Sequence, residues 1–330
     1  MGPAGPDQGA PSCRRQDHGR TRQQVPQQPD GRAGLPSPQQ RPGAGRLIHG
    51  SPDHGAGSMS GLSLVVAGCR GSMAVSGPEY ERFGGNTTCF YAEVEPNHFL
   101  VVDAGTGLRQ LQHRITDRNV PLRFSLFLTH YHWDHIQGMP MFSPLYSPEN
   151  RVDIWGPPLE GRDPEETLCT VMCRPWWPVA LIDVPAQLRI RPLEDCVDVG
   201  PVRVTHAELN HPGGVVGYRL EGNHTVVIAT DQECGDAEAD ERLVKLAHRA
   251  DVLIYDGQYT PEERRGPRRG WGHSDWEGAV RISHAAKVGR LVLTSHDPDR
   301  TDDQVTAIRA AARMGFPVVD AAHEGMRIPL

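Results

Sequence analysis

The first 58 residues contain no aromatic side chain, and their only Val, Leu or Ile residues are Val25, Leu35, Leu47 and Ile48. So little apolar surface cannot offset the entropy of ordering a chain, so no folded domain is expected there. The segment is instead rich in Pro, Gly, Gln and Arg and reads as a disordered tail over 1–58. It lacks the continuous apolar run of a signal peptide or membrane span, and its prolines oppose the amphipathic helix of a transit peptide. Translation starting at Met59 is the alternative, because a strand-like run follows almost at once. The seven cysteines include no C-x-x-C pair and are odd in number, which points to a reduced, cytoplasmic setting rather than a disulfide framework. Basic excess is missing too. A net charge of −7 argues against a broad nucleic-acid-binding face, while leaving room for a small phosphate-bearing substrate or a local patch. The one visible basic cluster is Arg264, Arg265, Arg268 and Arg269, whose plainer reading is a solvated loop.

From Met59 onward the composition supports one catalytic domain, 59–330. Strands are expected at 62–67, 87–94, 99–103, 122–128 and 152–155 in the first half. In the second half they are expected at 197–206, 215–221, 225–229, 252–255, 291–294 and 318–319. Helices are expected at 108–115, 165–173, 237–248, 276–287 and 302–314. Strands that first meander and then alternate with helices, once in each half, predict an α/β fold of two facing sheets with helices outside. No internal repeat of fixed period accompanies this arrangement. Between residues 157 and 185 the pattern is weaker. There, Trp176 and Trp177 sit between prolines, suiting either a flap over the active site or a plug in the core.

The chemistry-bearing run is Thr129-His130-Tyr131-His132-Trp133-Asp134-His135, placed directly after the apolar strand at 122–128. In an extended segment His130 and His132 share a face, and a turn at Asp134 and His135 can aim two further ligands into an adjacent pocket. Four ionisable groups crowded together are costly unless something compensates them, and imidazole with carboxylate suits zinc, manganese or iron. Three later residues compete with blander roles. His211 precedes Pro212-Gly213-Gly214, a backbone suited to a tight turn, and is preferred over His206. Asp231 ends the apolar strand 226–229. His296 ends the strand 291–294 and is preferred over His323. His273 precedes Ser274-Asp275-Trp276-Glu277, which reads as a capping box, so it stands at a helix entrance that favours anionic oxygens.

This H-x-H-x-D-H run resembles the signature of the metallo-β-lactamase superfamily. The ordered set around it is similar to the ribonuclease Z and phosphodiesterase branch: Gly68-Cys69-Arg70-Gly71-Ser72, Arg82, Gly84-Gly85-Asn86-Thr87-Thr88-Cys89, Asp103-Ala104-Gly105-Thr106-Gly107, Asn210-His211-Pro212-Gly213-Gly214, Ala229-Thr230-Asp231, Gly272-His273-Ser274 and Ser295-His296-Asp297. The resemblance implies a four-layer αββα sandwich and two divalent metal ions, zinc first and manganese second. One would be held by His130, His132 and His211 and the other by Asp134, His135 and His296, with Asp231 bridging. It further implies that a water activated between the two ions is the nucleophile. Asp134, His273 and Asp256 are the expected catalytic residues, His273 as general acid or transition-state contact and Asp256 as the acid that orients it. Asp275 departs from the usual Gly-His-Ser-Thr form. The expected activity is hydrolysis of a phosphodiester, preferably a small cyclic nucleotide or cyclic phosphate, by a homodimer with no membrane partner. Alternatives are transfer-RNA 3′ processing, hydrolysis of a lactone, thioester or sulfate ester, and a silent relative that binds a ligand or protein.

Overall fold

The computed structural model describes residues 61–330; the tail read at 1–58 and the candidate start at Met59 lie outside the described residues. Strands β1 (Ser63–Gly68), β2 (Cys89–Glu95) and β3 (His98–Val102) lead through helix α1 (Leu108–Ile115) to β4 (Arg123–Phe127). A single turn, α2 (Trp133–Ile136), is followed by β5 (Arg151–Gly156), α3 (Pro164–Val171) and β6 (Gln187–Pro192). The second half opens with β7 (Cys196–Val199), β8 (Val202–Leu209), β9 (Val215–Glu221) and β10 (Thr225–Ala229). It continues through α4 (Ala237–Leu246), β11 (Val252–Asp256), α5 (Pro261–Arg265), α6 (Trp276–Ala286) and β12 (Arg290–Thr294), and ends with α7 (Asp302–Gly315), β13 (Val319–Ala321) and β14 (Arg327–Pro329).

Two seven-stranded sheets result, ordered β14-β1-β2-β3-β4-β5-β6 and β13-β12-β11-β10-β9-β8-β7. Each begins with antiparallel strands and passes to parallel ones, β3 to β6 in the first sheet and β10 to β13 in the second. The period of two along a strand explains the layering. In β1, Leu64 and Val66 face the second sheet, while Val65 and Ala67 face the outer layer with Leu108 and Leu111 of α1. Phe127, Tyr218, Ile228, Ile254 and Val292 fill the space between the sheets. Leu243, Ile282 and Ile308 bring α4, α6 and α7 onto the outer face of the second sheet. This is the expected αββα sandwich. Strands β10, β11 and β12 are covered on both faces, and their sequences read as nearly continuous apolar runs.

The strand expected at 197–206 is instead two strands, β7 and β8, separated by Gly200-Pro201. Gly200 takes φ 57°, a left-handed turn that a strand cannot carry through. Trp176 is 73% exposed, whereas Trp177 packs on the first sheet's outer core and donates from Nε1 to Tyr146 Oη at 3.0 Å. Trp177 thus anchors the segment on the outer core, and Trp176 faces solvent. Among the described residues no helix is long and apolar enough to cross a membrane.

Ile254 is fully buried between the sheets, so Ile254→Ala should lower unfolding stability by about 2–5 kcal/mol in chemical denaturation. Met314→Ala, at a position 90% exposed, should stay within about 0.5 kcal/mol of the parent.

Candidate metal centre

The chemistry-bearing residues collect where strands of both sheets end. Thr129 and His130 follow β4, Asp103 follows β3, His211 follows β8, Asp231 follows β10, and Asp256 closes β11. His132 keeps an extended backbone before the chain turns at α2, which carries Asp134 and His135 inward. Asp103 and Asp231 both take positive φ, 60° and 53°, so their side chains leave the ends of their strands in a direction an extended backbone would not give.

Donor atoms of His130, His132, His211 and Asp231 lie within 4.8 Å of one another, and so do those of Asp134, His135 and Asp231. Asp231 belongs to both groups. Its Oδ2 is 3.3 Å from His135 Nε2, 3.6 Å from His130 Nε2 and 3.9 Å from His211 Nε2. His132 Nδ1 is 3.0 Å from His211 Nε2. These imidazoles are held from behind. His211 Nδ1 donates to the Gly272 carbonyl at 2.7 Å, His135 Nδ1 donates to Asp103 Oδ2 at 2.8 Å, and Thr129 donates its N–H and hydroxyl to the same Asp103. Asp134 Oδ2 accepts the Ser72 N–H at 2.8 Å.

Electrostatics favours a cation at this place. Burial pushes His130 well below its ordinary pKa and lowers His132 and His211, which keeps three neutral imidazoles with lone pairs to offer. Burial acts on His135 in the same sense, but the charges of Asp231, Asp134 and Asp103 outweigh it and raise that pKa well above the usual value. Burial would raise Asp231, yet His135 and His273 hold it well below the ordinary carboxylate range. A pocket that recruits a proton onto His135 in this way is one that welcomes positive charge. His130 Nε2, His135 Nε2 and Asp231 Oδ1 are buried without a hydrogen-bond partner, each costing about 1–3 kcal/mol. All three belong to residues of the converging groups, and divalent cations held by those groups would satisfy them. The nitrogen and oxygen donor set fits zinc or manganese.

His296 differs from expectation. None of the converging groups includes it. Its Nε2 donates to the Ala322 carbonyl at 2.9 Å, its ring meets Phe83 edge-on, and burial pushes its pKa down to about 3. The backbone leaving β13 thus engages Nε2 of the histidine that the resemblance assigned to the second metal, with Asp134 and His135. His206 and His323 also stand apart from the groups, and His323 Nδ1 is 3.1 Å from the Glu324 carbonyl.

His273 and Asp256 are brought to the edge of the same centre. His273 Nδ1 donates to Asp256 Oδ2 at 2.6 Å, while Nε2 lies 4.0 Å from Asp231 Oδ2. Asp256 Oδ1 accepts the Gln258 and Ser274 N–H groups at 3.0 and 3.3 Å. Burial works to lower His273, but Asp256 and Asp231 outweigh it and raise the imidazole to about 9. Asp275 caps α6 by accepting the Gly278 N–H at 2.7 Å, so the helix cap falls one residue later than the serine expected from the capping box.

Gly272 links these parts. It adopts φ 87°, and a Cβ there would lie 2.2 Å from His211 Nδ1, in ring atoms fixed by the backbone. Gly272→Ala should therefore displace His211 and lower metal retention through dialysis, read by elemental analysis, with global unfolding changed far less.

The facing sheets, the strand-end donors and the shared aspartate define a metal-dependent hydrolase of the metallo-β-lactamase fold. The chain belongs to this superfamily, since the family model described as "Beta-lactamase superfamily domain" matches residues 98–296. It is similar to the ribonuclease Z of Pseudomonas putida KT2440, at 24% identity over 63% of this chain and 80% of that protein. Among solved structures it resembles the metallo-beta-lactamase fold protein YhfI from Bacillus subtilis, with TM-score 0.61, 20% identity, and coverage of 81% of this chain and 99% of that one. It also resembles a diphosphatase from the PhnP family, with TM-score 0.59, 18% identity, and coverage of 82% and 98%.

Proposed function

We propose that this protein is a two-metal phosphodiesterase acting on a small cyclic nucleotide or other cyclic phosphate, with zinc as the first choice of metal and a homodimer as the working assembly. His130, His132, His211 and Asp231 would hold one ion, and Asp134, His135 and Asp231 the other; His296 stands outside both sets. When bound, the ions would polarise the phosphoryl oxygens and supply a water of lowered pKa.

The observation that carries the reading is the His273–Asp256 pair, hydrogen-bonded at 2.6 Å with Nε2 directed toward the shared aspartate. Asp256 spends both oxygens on the Gln258 and Ser274 N–H groups and on His273, so it serves as orienter rather than ligand. It fixes the Nδ1–H tautomer and leaves Nε2 to carry the mobile proton. The Asp256 carboxylate favours the protonated imidazole, which can deliver its proton to a departing alkoxide.

The small substrate is favoured by charge. Net −7 gives no broad basic face, and within the one arginine cluster Arg264 pairs with Asp275 and Arg265 with Glu277. Transfer-RNA 3′ processing is the second reading, supported by the similarity to a ribonuclease Z. The metal-replete protein should be assayed side by side on cyclic nucleotides, bis-(p-nitrophenyl) phosphate, a transfer-RNA precursor and a lactone. Turnover of cyclic phosphates above the others supports the proposal, preference for the RNA selects the second reading, and lactone cleavage alone rejects both.

A further inference from the structure

Four arginines cluster at the end of α5 and in the loop that follows it, and they are not equivalent. Arg264 and Arg265 are ion-paired, and Arg269 is exposed. Arg268 is half-buried, yet among the described residues no carboxylate lies within ion-pairing reach of it. Its guanidinium instead lies over two aromatic rings, 4.4 Å from the centroid of Trp271 and 5.6 Å from that of Tyr259. Tyr259 is buried, and its ring meets His273 edge-on at 5.7 Å. A chain of ring and guanidinium contacts therefore runs from the candidate acid through Tyr259 and Arg268 to Trp271, which is 55% exposed.

Stacking engages the face of a guanidinium and leaves its N–H groups, which lie in the plane, pointing outward. Those donors form a fork suited to bidentate capture of a phosphate. The loop that presents Arg268 is fixed from below, because Glu233 accepts the Gly270 and Gly272 N–H groups at 2.8 Å each. With no carboxylate of the described residues beside it, the Arg268 guanidinium is left to meet an anion from solution, and the metal centre deals with the scissile phosphate one ring further in.

We propose that Arg268, clamped between Tyr259 and Trp271, is a positioning residue for a second phosphate of the substrate, one that is not cleaved. This rests on the phosphodiesterase reading and narrows it: the preferred substrate is a phosphodiester bearing a further phosphate rather than a cyclic mononucleotide with only one.

The test compares adenosine 5′-monophosphate with adenosine 3′,5′-bisphosphate as ligands of the full-length, metal-loaded protein, by calorimetric titration of wild type, Arg268→Gln and Arg268→Lys. Wild type should prefer the bisphosphate by about tenfold or more, the worth of one charge-assisted fork. In Arg268→Gln that preference should shrink to within about twofold with monophosphate affinity unchanged, and Arg268→Lys, keeping charge without the planar fork, should recover only part of it. Thermal melting of each variant separates loss of the fork from loss of the fold. Equal weakening of both ligands, an unchanged preference in Arg268→Gln, full recovery in Arg268→Lys, or no bisphosphate preference in wild type would overturn the proposal. An Arg268-dependent preference in a protein that cleaves no phosphodiester would instead retain the second-phosphate site and refute the catalytic reading.

Discussion

Asp231→Asn is expected to abolish stable binding of the metal pair and to lower phosphodiester turnover by about a thousandfold or more, equivalent to about 4 kcal/mol of transition-state stabilisation. Asp231 is the one side chain common to all three groups of converging donors, the third being Asp231, Asp256 and His273, and its Oδ1 is buried without a partner. The amide keeps the shape of the carboxylate but carries no charge and offers only one acceptor oxygen. The metal-free variant should melt below the metal-free parent, because His135 and His273 hold the Asp231 carboxylate well below its ordinary range and its loss leaves their positive charge uncompensated. Elemental analysis after gel filtration, paired with melting of both metal-free forms, checks both halves of this expectation. A variant that keeps two ions per chain would show that Asp231 is not the bridge.

The second large effect belongs to His273. His273→Ala should retain the parent metal content and lose about 10²–10⁴-fold in kcat on a substrate whose leaving group is an alkoxide, the usual contribution of a positioned general acid. On bis-(p-nitrophenyl) phosphate the loss should be much smaller, because p-nitrophenolate departs without needing a proton. The contrast between the two leaving groups separates proton delivery from simple disturbance of the pocket. A similar loss on both substrates would assign His273 to phosphate binding or to packing, and no loss on either would remove it from the reaction. Asp256→Asn should weaken the alkoxide reaction in the same direction, since an amide cannot enforce the Nδ1–H tautomer that places the mobile proton on Nε2.

Much of this centre could be read before any coordinates were considered, and the reason is local. His130, His132, Asp134 and His135 stand within six positions after an apolar strand, and extended geometry followed by a turn is enough to make them converge. Strands β10 to β12 were legible for a similar reason, being apolar on both faces. What escaped notice depends on distant partners. Asp103 was noticed only as part of a glycine-bearing turn, yet it fixes His135 from 32 residues away in sequence. Ser72 supplies a backbone N–H to Asp134 across 62 positions, and Glu233 pins the loop before His273 across 37 and 39. A backbone donor leaves no trace in residue type, and a loop glutamate looks like any solvated acid.

The strands with little sequence signal follow the same logic. β6 alternates exposed and half-buried residues and includes Arg189 and Arg191, so its apolar signal is weak, while β14 has three residues and gains its place only by pairing with β1 at the other end of the chain. His296 illustrates the limit of motif reasoning. Its position at the end of β12 was legible, but the Ala322 carbonyl that takes its Nε2 proton comes from the return of the chain after β13, which no short motif encodes.

The most direct measurement is anomalous X-ray diffraction from crystals of the metal-loaded protein, recorded on either side of the zinc edge. Two peaks are expected, one against His130, His132 and His211 and one against Asp134 and His135, with the Asp231 carboxylate reaching both. A single peak, or peaks away from Asp231, would contradict the two-metal centre on which the proposed chemistry depends.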